Sequence, residues 1–234
     1  MNFYSNLQQA VEEQYDCIKI LKSDKRKSIS LLRHKQSGRR YIFRQYEGGA
    51  SVYQQLLYLT CPHLPQIMEV AEADGKAAVL EEYVQGDTLD FLLEGGTLSP
   101  KKAKEIMIQL CQALSVLHGF AAVHRDVKPE NVILRGNQAV LIDFDASRIV
   151  KVENNSDTVV MGTIGFAAPE QYGLNQSDAR SDIYSMGVLL NLMLTGKHPS
   201  RELAKGRMGL IVRRCTQLNP DRRYQNVQQL MNAL

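Results

Sequence analysis

One stretch, His124-Arg125-Asp126-Val127-Lys128-Pro129-Glu130-Asn131, decides the fold. It sets a carboxylate, an ammonium and a carboxamide on one short loop. Those groups suit phosphoryl transfer, which needs a carboxylate to orient the incoming hydroxyl, ligands for a metal and cations for the phosphates. Asp126 would accept the hydroxyl hydrogen, and Lys128 would reach the transferred phosphate. Asn131 offers an amide oxygen, which suits a hard Mg2+ ion. Twelve residues on, Asp143 ends the apolar run Ala139-Val140-Leu141-Ile142 and supplies a second metal ligand. The intervening segment turns at Gly136-Asn137 and has the length of a hairpin that would bring Asn131 and Asp143 together.

Upstream of this loop the chain reads as short strands. Residues 15–22, 28–35 and 40–46 are β-like runs separated by Ser23-Asp24-Lys25 and Gln36-Ser37-Gly38. Residues 50–60 switch to helical spacing, with Val52, Leu56 and Leu59 on one face, and Pro62 and Pro65 follow. Two more strands are expected at 66–73 and 77–84, turning at Asp74-Gly75. After Gly95-Gly96 the pattern becomes helical. Ser99 is a good N-cap and Pro100 a good first residue. Ile106, Leu110, Leu114 and Leu117 make a stripe that Gly119 can close. Residues 143–177 lack periodicity, and a loop of that length is usually functional. A helix that is apolar almost all round is expected over 178–195, ended by Gly196 and Pro199. Helices near 203–217 and 224–233 complete the chain.

Several motifs in order carry a resemblance. HRDVKPEN, Asp143-Phe144, and Gly162-Thr163 through Ala168-Pro169-Glu170 resemble eukaryotic-type Ser/Thr protein kinases, and GTIGFAAPEQYG looks like the bacterial members. SDIYSMGVLL, with Asp182, resembles the buried central helix of that fold. NPDRRY resembles the element whose arginine, here Arg223, pairs with the glutamate of Ala-Pro-Glu, here Glu170. The likeness is strong from about residue 80 to the end. It implies ATP and Mg2+ as cofactors, a protein substrate and no nucleic-acid partner. Asp126 would be the catalytic base, with Lys128 beside it and Thr163 bridging the two. Arg125 would order the activation segment by binding a phosphate, with Ser156, Thr158 and Thr163 as candidate acceptors. His124 would pack on Phe144. ATP would sit between the lobes, its adenine at the hinge near Glu82 and Val84.

The first half departs from that family. Aligned on Leu21, Lys22, Asp24 and Lys27 occupy the places of the phosphate-covering glycines. The turn is rich in cations instead, either as phosphate ligands or as a solvated basic hairpin. Arg44 stands where the strand normally presents an ATP-binding lysine, and the two are not interchangeable. The helical position of its usual glutamate partner falls on Val52, or on Tyr53 or Gln54 after a slip, none acidic. Glu47 precedes the helix. Glu81 stands where the adenine pocket is bordered, and a charge there is costly unless paired. A substitute ion pair between Arg44 and Glu81 is the expectation that reconciles these changes. Asp145 replaces the glycine after Phe144, adding a carboxylate near the metal ligands.

Bulk properties agree with an ordinary folded chain: 234 residues, 44% apolar, 23% charged and a net charge of +3, too small to argue for nucleic acid. Cys17, Cys61, Cys111 and Cys215 have no metal spacing and read as buried thiols. No apolar run approaches the roughly 18–20 residues of a membrane span, and the first residues lack a signal-peptide core. A cytoplasmic protein, or a cytoplasmic domain cut from something longer, is expected.

The expected fold is α+β and bilobal, a single protein-kinase-like domain over 1–234. A small β-rich N-lobe would run to about residue 84, with a hinge at about 83–87 and a mainly helical C-lobe over about 88–234. The function implied is an ATP-dependent protein Ser/Thr kinase. A pseudokinase scaffold is the alternative, favoured by the missing glycines, Arg44 and Val52. A small-molecule kinase is a more distant one, because those enzymes lack the long segment ending in Ala-Pro-Glu.

Overall fold

Alternation along the strands explains the first half of the chain. In the computed structural model, which describes residues 3–150, 163–172 and 176–234, the chain divides into two compact units. One holds the residues up to Cys61 together with Pro65–Val84, the other Pro62–Leu64 and Gln85–Leu234.

The first unit contains α1 (Phe3–Gln14), β1 (Tyr15–Ser23), β2 (Lys27–His34), β3 (Arg40–Glu47), α2 (Ser51–Leu56), β4 (Ile67–Ala73) and β5 (Lys76–Glu82). Its strands form one antiparallel sheet in the order β1-β2-β3-β5-β4. Successive side chains of a strand point to opposite faces. On one face, Leu32, Phe43, Ala71, Ala78 and Leu80 form a buried cluster with Leu7 and Val11 of α1. On the other, Tyr46 brings its ring within 6.2 Å of the Tyr53 ring of α2. The two helices therefore cover opposite faces.

Helix α1 was not expected from the polar composition of the N-terminus. Its signal is thin: Tyr4, Leu7 and Val11 at helical spacing, which make one short stripe. Its terminal carbonyls are satisfied by Lys35, whose ammonium donates to the carbonyls of Glu12 at 3.1 Å and Glu13 at 2.6 Å. Helix α2 is shorter than the 50–60 span expected. It ends at Leu56, and Leu59 is 40% exposed rather than on the buried face. The carboxylate of Glu72 on β4 accepts the backbone N–H of Ala50 at 2.9 Å, fixing the start of α2.

The second unit contains β6 (Asp87–Thr88), α3 (Leu89–Glu94), α4 (Pro100–Gly119), β7 (Ala122–Val123), β8 (Val132–Arg135), β9 (Gln138–Leu141), β10 (Arg148–Ile149), α5 (Ala179–Thr195), α6 (Gly206–Cys215) and α7 (Val227–Ala233). Ser99 caps α4 by accepting the N–H of Lys102. The left-handed residue past α4 is Ala121 at φ 57°, so Gly119 does not close the helix as expected. Helix α5 is apolar almost all round with 11 of its 17 residues buried, capped by Asp178 and ended by Gly196 at φ 69°. Gly187 lets α6 come close, since a Cβ there would collide with the Cβ of Cys215. Cys111 and Cys215 are buried, but Cys17 is exposed on β1 and Cys61 partly so, correcting the expectation for those two thiols. Among the described residues no helix is long and apolar enough to cross a membrane.

The α1 stripe gives a direct check. Leu7 is 2% exposed, so Leu7→Ala should cost about 2–5 kcal/mol, read as a lower urea midpoint.

Candidate functional site

A buried carboxylate lies beneath the site. Asp182, in the first turn of α5, is fully buried. Its two carboxylate oxygens accept the backbone N–H groups of His124 at 2.9 Å and Arg125 at 2.8 Å, and one also receives His118 Nε2 at 2.8 Å. Burial raises the Asp182 pKa, but the His118 hydrogen bond, the neighbouring imidazoles and the His124 amide outweigh it, and the carboxyl lies below its usual range. Arg125 adopts φ 70°, a left-handed conformation that costs a non-glycine residue energy. The hydrogen bonds to Asp182, and the donation of Gln171 Nε2 to the Arg125 carbonyl at 2.8 Å, hold it there.

Asp126 follows this anchored turn, and its carboxylate is gripped from three sides. Thr163 Oγ1 donates to Oδ1 at 2.7 Å, while Asn131 Nδ2 and Lys128 Nζ reach Oδ2 at 2.9 and 2.8 Å. Lys128 also donates to Thr163 Oγ1 at 2.7 Å. Asn131 Nδ2 further donates to the Asp126 carbonyl at 2.8 Å. With the amide nitrogen engaged in this way, the amide oxygen is the atom Asn131 offers a cation. The backbone N–H of Ile142 donates to the Asn131 carbonyl at 2.9 Å, so β8 and β9 bring Asp143 next to that junction. Asp143 is itself left-handed, at φ 67°, and its Oδ1 accepts the N–H of Asp145 at 3.4 Å.

This donor set fits a divalent cation carried with a nucleotide. Such ions keep waters and phosphate oxygens and take only one or two protein oxygens. Among the described residues no group of three or more His, Cys, Asp or Glu could form a metal cage, and none is required.

His124 packs edge-on against Phe144, ring centroids 5.4 Å apart. Its Nδ1 accepts the Asp126 N–H at 3.3 Å, which leaves the ring proton on Nε2, facing the Ile142 carbonyl at 3.3 Å. Glu170 and Arg223 form a bidentate pair at 2.7 and 2.9 Å, with Ser181 Oγ donating to the same carboxylate at 2.7 Å. Ser156 and Thr158 lie outside the described residues. The sequence motifs did not reveal His118 or Gln171 as supports of the loop. The signal for His118 was a polar side chain after the apolar Val116-Leu117, and for Gln171 its place within GTIGFAAPEQYG.

In the first unit, Arg44 Nε donates to Glu81 Oε1 at 2.6 Å, and the two side chains are 5% and 2% exposed. The ion pair expected from the strand order is therefore present. Helix α2 presents Val52 and Tyr53, both buried, where a glutamate would stand. In the β1–β2 turn, Asp24 Oδ1 accepts the N–H groups of Arg26 at 2.9 Å and Lys27 at 3.0 Å. Those amides, Arg26 foremost, hold the Asp24 carboxyl below its usual range. Lys22 lies 3.9 Å from Asp24, and Arg26 lies 3.8 Å from Glu47. Glu82 ends β5, its carboxylate accepting the Gln66 N–H at 3.1 Å, and Val84 is the last residue of this unit.

Two measurements follow. Arg223 and Glu170 are 1% and 5% exposed, so Arg223→Met, which strands a buried carboxylate, should cost about 3–5 kcal/mol in denaturant titrations. Burial pushes the His124 ring below the ordinary imidazole value of 6.5, against the pull of Asp182, Asp126 and Asp143. The unfolded chain then binds the extra proton, so stability falls as pH drops below 6.5. Asp182 works in the same direction at lower pH: its stabilisation is complete above the ordinary carboxyl value of 3.8 and is lost as pH falls through its depressed one. Urea midpoints should fall from pH 7.5 to pH 5, and His124→Phe should flatten that slope.

Comparison with known proteins agrees with this geometry. Residues 10–233 match the protein kinase domain family. The serine/threonine-protein kinase pkn2 of Myxococcus xanthus is 36% identical over 146 residues, 59% of this chain and 18% of that protein. The serine/threonine-protein kinase PknB of Mycobacterium tuberculosis is 37% identical over 155 residues, 62% of this chain and 25% of its own length. The serine/threonine-protein kinase B of Synechocystis is 30% identical over 205 residues, 74% and 35% of the two chains. The chain thus spans well under half the length of these relatives. With its motifs, its fold and this match in register from residue 10 to 233, the chain belongs to the protein kinase domain family.

Proposed function

We propose that this domain transfers the γ-phosphoryl group of ATP to serine or threonine hydroxyls of protein substrates. The observation that carries the reading is the closed set of contacts among Asp126, Lys128, Thr163 and Asn131. Asp126 accepts the proton of the incoming hydroxyl, its carboxylate held in one orientation by three donors. Lys128, two residues on, places a cation beside the same carboxylate and stabilises the charge on the group in transfer. Lysine at that position, with Thr163 joined to it, fits the Ser/Thr class. Asn131 and Asp143 are the oxygen ligands for Mg2+, and Mg-ATP, once bound, supplies the electrophilic phosphoryl group with its charge partly neutralised.

The same reading assigns residues up to about 84 as the nucleotide-holding lobe, 83–87 as the connection and 88–234 as the acceptor lobe. Arg44, Glu82 and Val84 are the nucleotide contacts contributed by the first lobe. Arg125, whose carbonyl is tied to Gln171, is the cation for a phosphorylated activation segment, with Ser156, Thr158 and Thr163 as acceptors. The relatives' names, all serine/threonine-protein kinases, favour this activity over a silent scaffold or a small-molecule kinase.

The deciding experiment is Mg-ATP turnover with a generic Ser/Thr protein substrate, comparing the native chain with Asp126→Asn. Loss of the base should cut kcat by about 10²–10⁴-fold and leave nucleotide affinity intact. Nucleotide binding with no turnover by the native chain under any condition would refute the enzyme reading.

A further inference from the structure

Gln171 reaches the catalytic loop from outside it, and what it holds there bears on the base. The inference rests on the phosphotransfer reading above. Gln171 lies in the short 3-10 helix Pro169–Tyr172 and is fully buried, and Arg125 is 4% exposed. The Oε1 of Gln171 accepts the Ala168 N–H at 3.0 Å, and its Nε2 donates to the Arg125 carbonyl at 2.8 Å. A carbonyl and the N–H that follows it belong to one planar peptide unit. The N–H of this unit is that of Asp126, which donates to His124 Nδ1 at 3.3 Å. The plane on which Asp126 hangs is therefore held at both edges, by Gln171 and by His124. Arg125 is left-handed at φ 70°, a conformation that its surroundings have to maintain. On the other side of Arg125, its own N–H goes to Asp182 at 2.8 Å.

The stretch that carries Gln171 meets the base a second time. Thr163 Oγ1 donates to Asp126 Oδ1 at 2.7 Å. Between these two contacts the stretch is fastened to α5. Ser185 Oγ donates to the Phe166 carbonyl at 2.8 Å, and Ser181 Oγ donates to Glu170 at 2.7 Å. Residues 163–172 thus fix the carboxylate of Asp126 at one end and its backbone at the other. We propose that Gln171 is a positioning residue for Asp126, acting through the Arg125 carbonyl, and that it makes phosphoryl transfer depend on the fold of residues 163–172. With that stretch in place, the peptide plane is set and the base keeps its aim. With the stretch displaced, the plane loses one of its two edges. The hairpin of β8 and β9, between Asn131 and Asp143, is built from its own ladder. The effect therefore falls on the transfer step rather than on nucleotide binding.

The test compares the native chain with Gln171→Met and Gln171→Glu in Mg-ATP turnover of a generic Ser/Thr protein substrate. Melting curves keep every assay in the folded range. Methionine removes the donor. Glutamate keeps an acceptor for the Ala168 N–H and sets a carboxylate oxygen against the Arg125 carbonyl, to which only the protonated acid donates. Gln171→Met should lower kcat by about 10–100-fold at every pH and leave KM for ATP unchanged. Gln171→Glu should lose as much at about pH 8 and recover most of it by about pH 6. Arg125, Asp126, His124 and the Glu170–Arg223 pair are the charged and titratable neighbours. They are common to all three chains, so each point is read as a ratio to the native value. A native kcat in Gln171→Met with a lower melting temperature would show a purely structural contact and overturn the proposal. So would equal losses in both variants at every pH, or a raised KM for ATP at unchanged kcat. If Gln171→Met melts below the assay temperature, the pH series of Gln171→Glu decides alone. Hydrogen exchange at residues 124–128 needs no turnover: it should be faster in Gln171→Met than in the native chain, and equal exchange would overturn the proposal. Failure of the wider reading has a separate signature, because the native chain would then transfer no phosphate while the exchange difference stayed.

Discussion

A single buried carboxylate organises the second unit. Asp182 sits in the first turn of a mainly apolar helix and accepts the backbone N–H groups of two consecutive residues, His124 and Arg125. A carboxylate taken out of water is expensive unless its oxygens are satisfied, and here both are. In return, the backbone at Arg125 is held in a left-handed conformation it would not adopt alone. That twist sets where the chain leaves the turn, and with it the position of Asp126. The Asp126 carboxylate can receive Thr163, Lys128 and Asn131 together only because the loop beneath it is fixed.

The rest of the unit repeats the same device. Glu170 and Arg223 are buried ions whose charges are matched by two short hydrogen bonds, with Ser181 filling further acceptor capacity. Arg223 also donates to the carbonyls of Gln217, Arg180 and Leu218. Asn191, likewise buried in α5, donates to the carbonyls of Lys197 and Glu202 and accepts the N–H of Ala204. Asp182 and Asn191 are side chains of a regular element that satisfy the backbone of an irregular one, and Arg223, itself in an irregular segment, ties its neighbours' carbonyls to α5. Loops so tied can carry chemistry without being rigid by composition.

The first unit solves its problems with different residues from those its family resemblance implied. Glycine is absent from the β1–β2 turn, and the Asp24 carboxylate caps the turn by accepting two backbone N–H groups. An acidic helix residue is absent as well, and Glu81 supplies the carboxylate from β5. The extra helix α1 covers the sheet face that bears Phe43 and Leu80, burying apolar area that β2 through β5 would otherwise expose.

Much of this was legible in the chain itself. The loop 124–131, the hairpin to Asp143 and the caps at Ser99 and Gly196 are local features. In them, neighbouring residues decide the backbone through turn chemistry and periodicity, so the family, the α+β class and the order of most elements could be read directly. Helix α1 is hard to read because the short stripe of Tyr4, Leu7 and Val11 carries little periodic signal, and its stability comes from the sheet it covers. Residues 50–60 were read as too long a helix because Leu59 matched the spacing while tertiary packing ended the helix at Leu56. Strand order alone makes Arg44 and Glu81 candidates for an ion pair. Only the register of β3 on β5 put them on the same face, since a slip of one residue would have turned one of them to the other side. The sequence by itself determined which chemical groups this protein has to work with. The tertiary structure decided which groups touch, because contacts between distant residues depend on register and burial, and no local pattern encodes those.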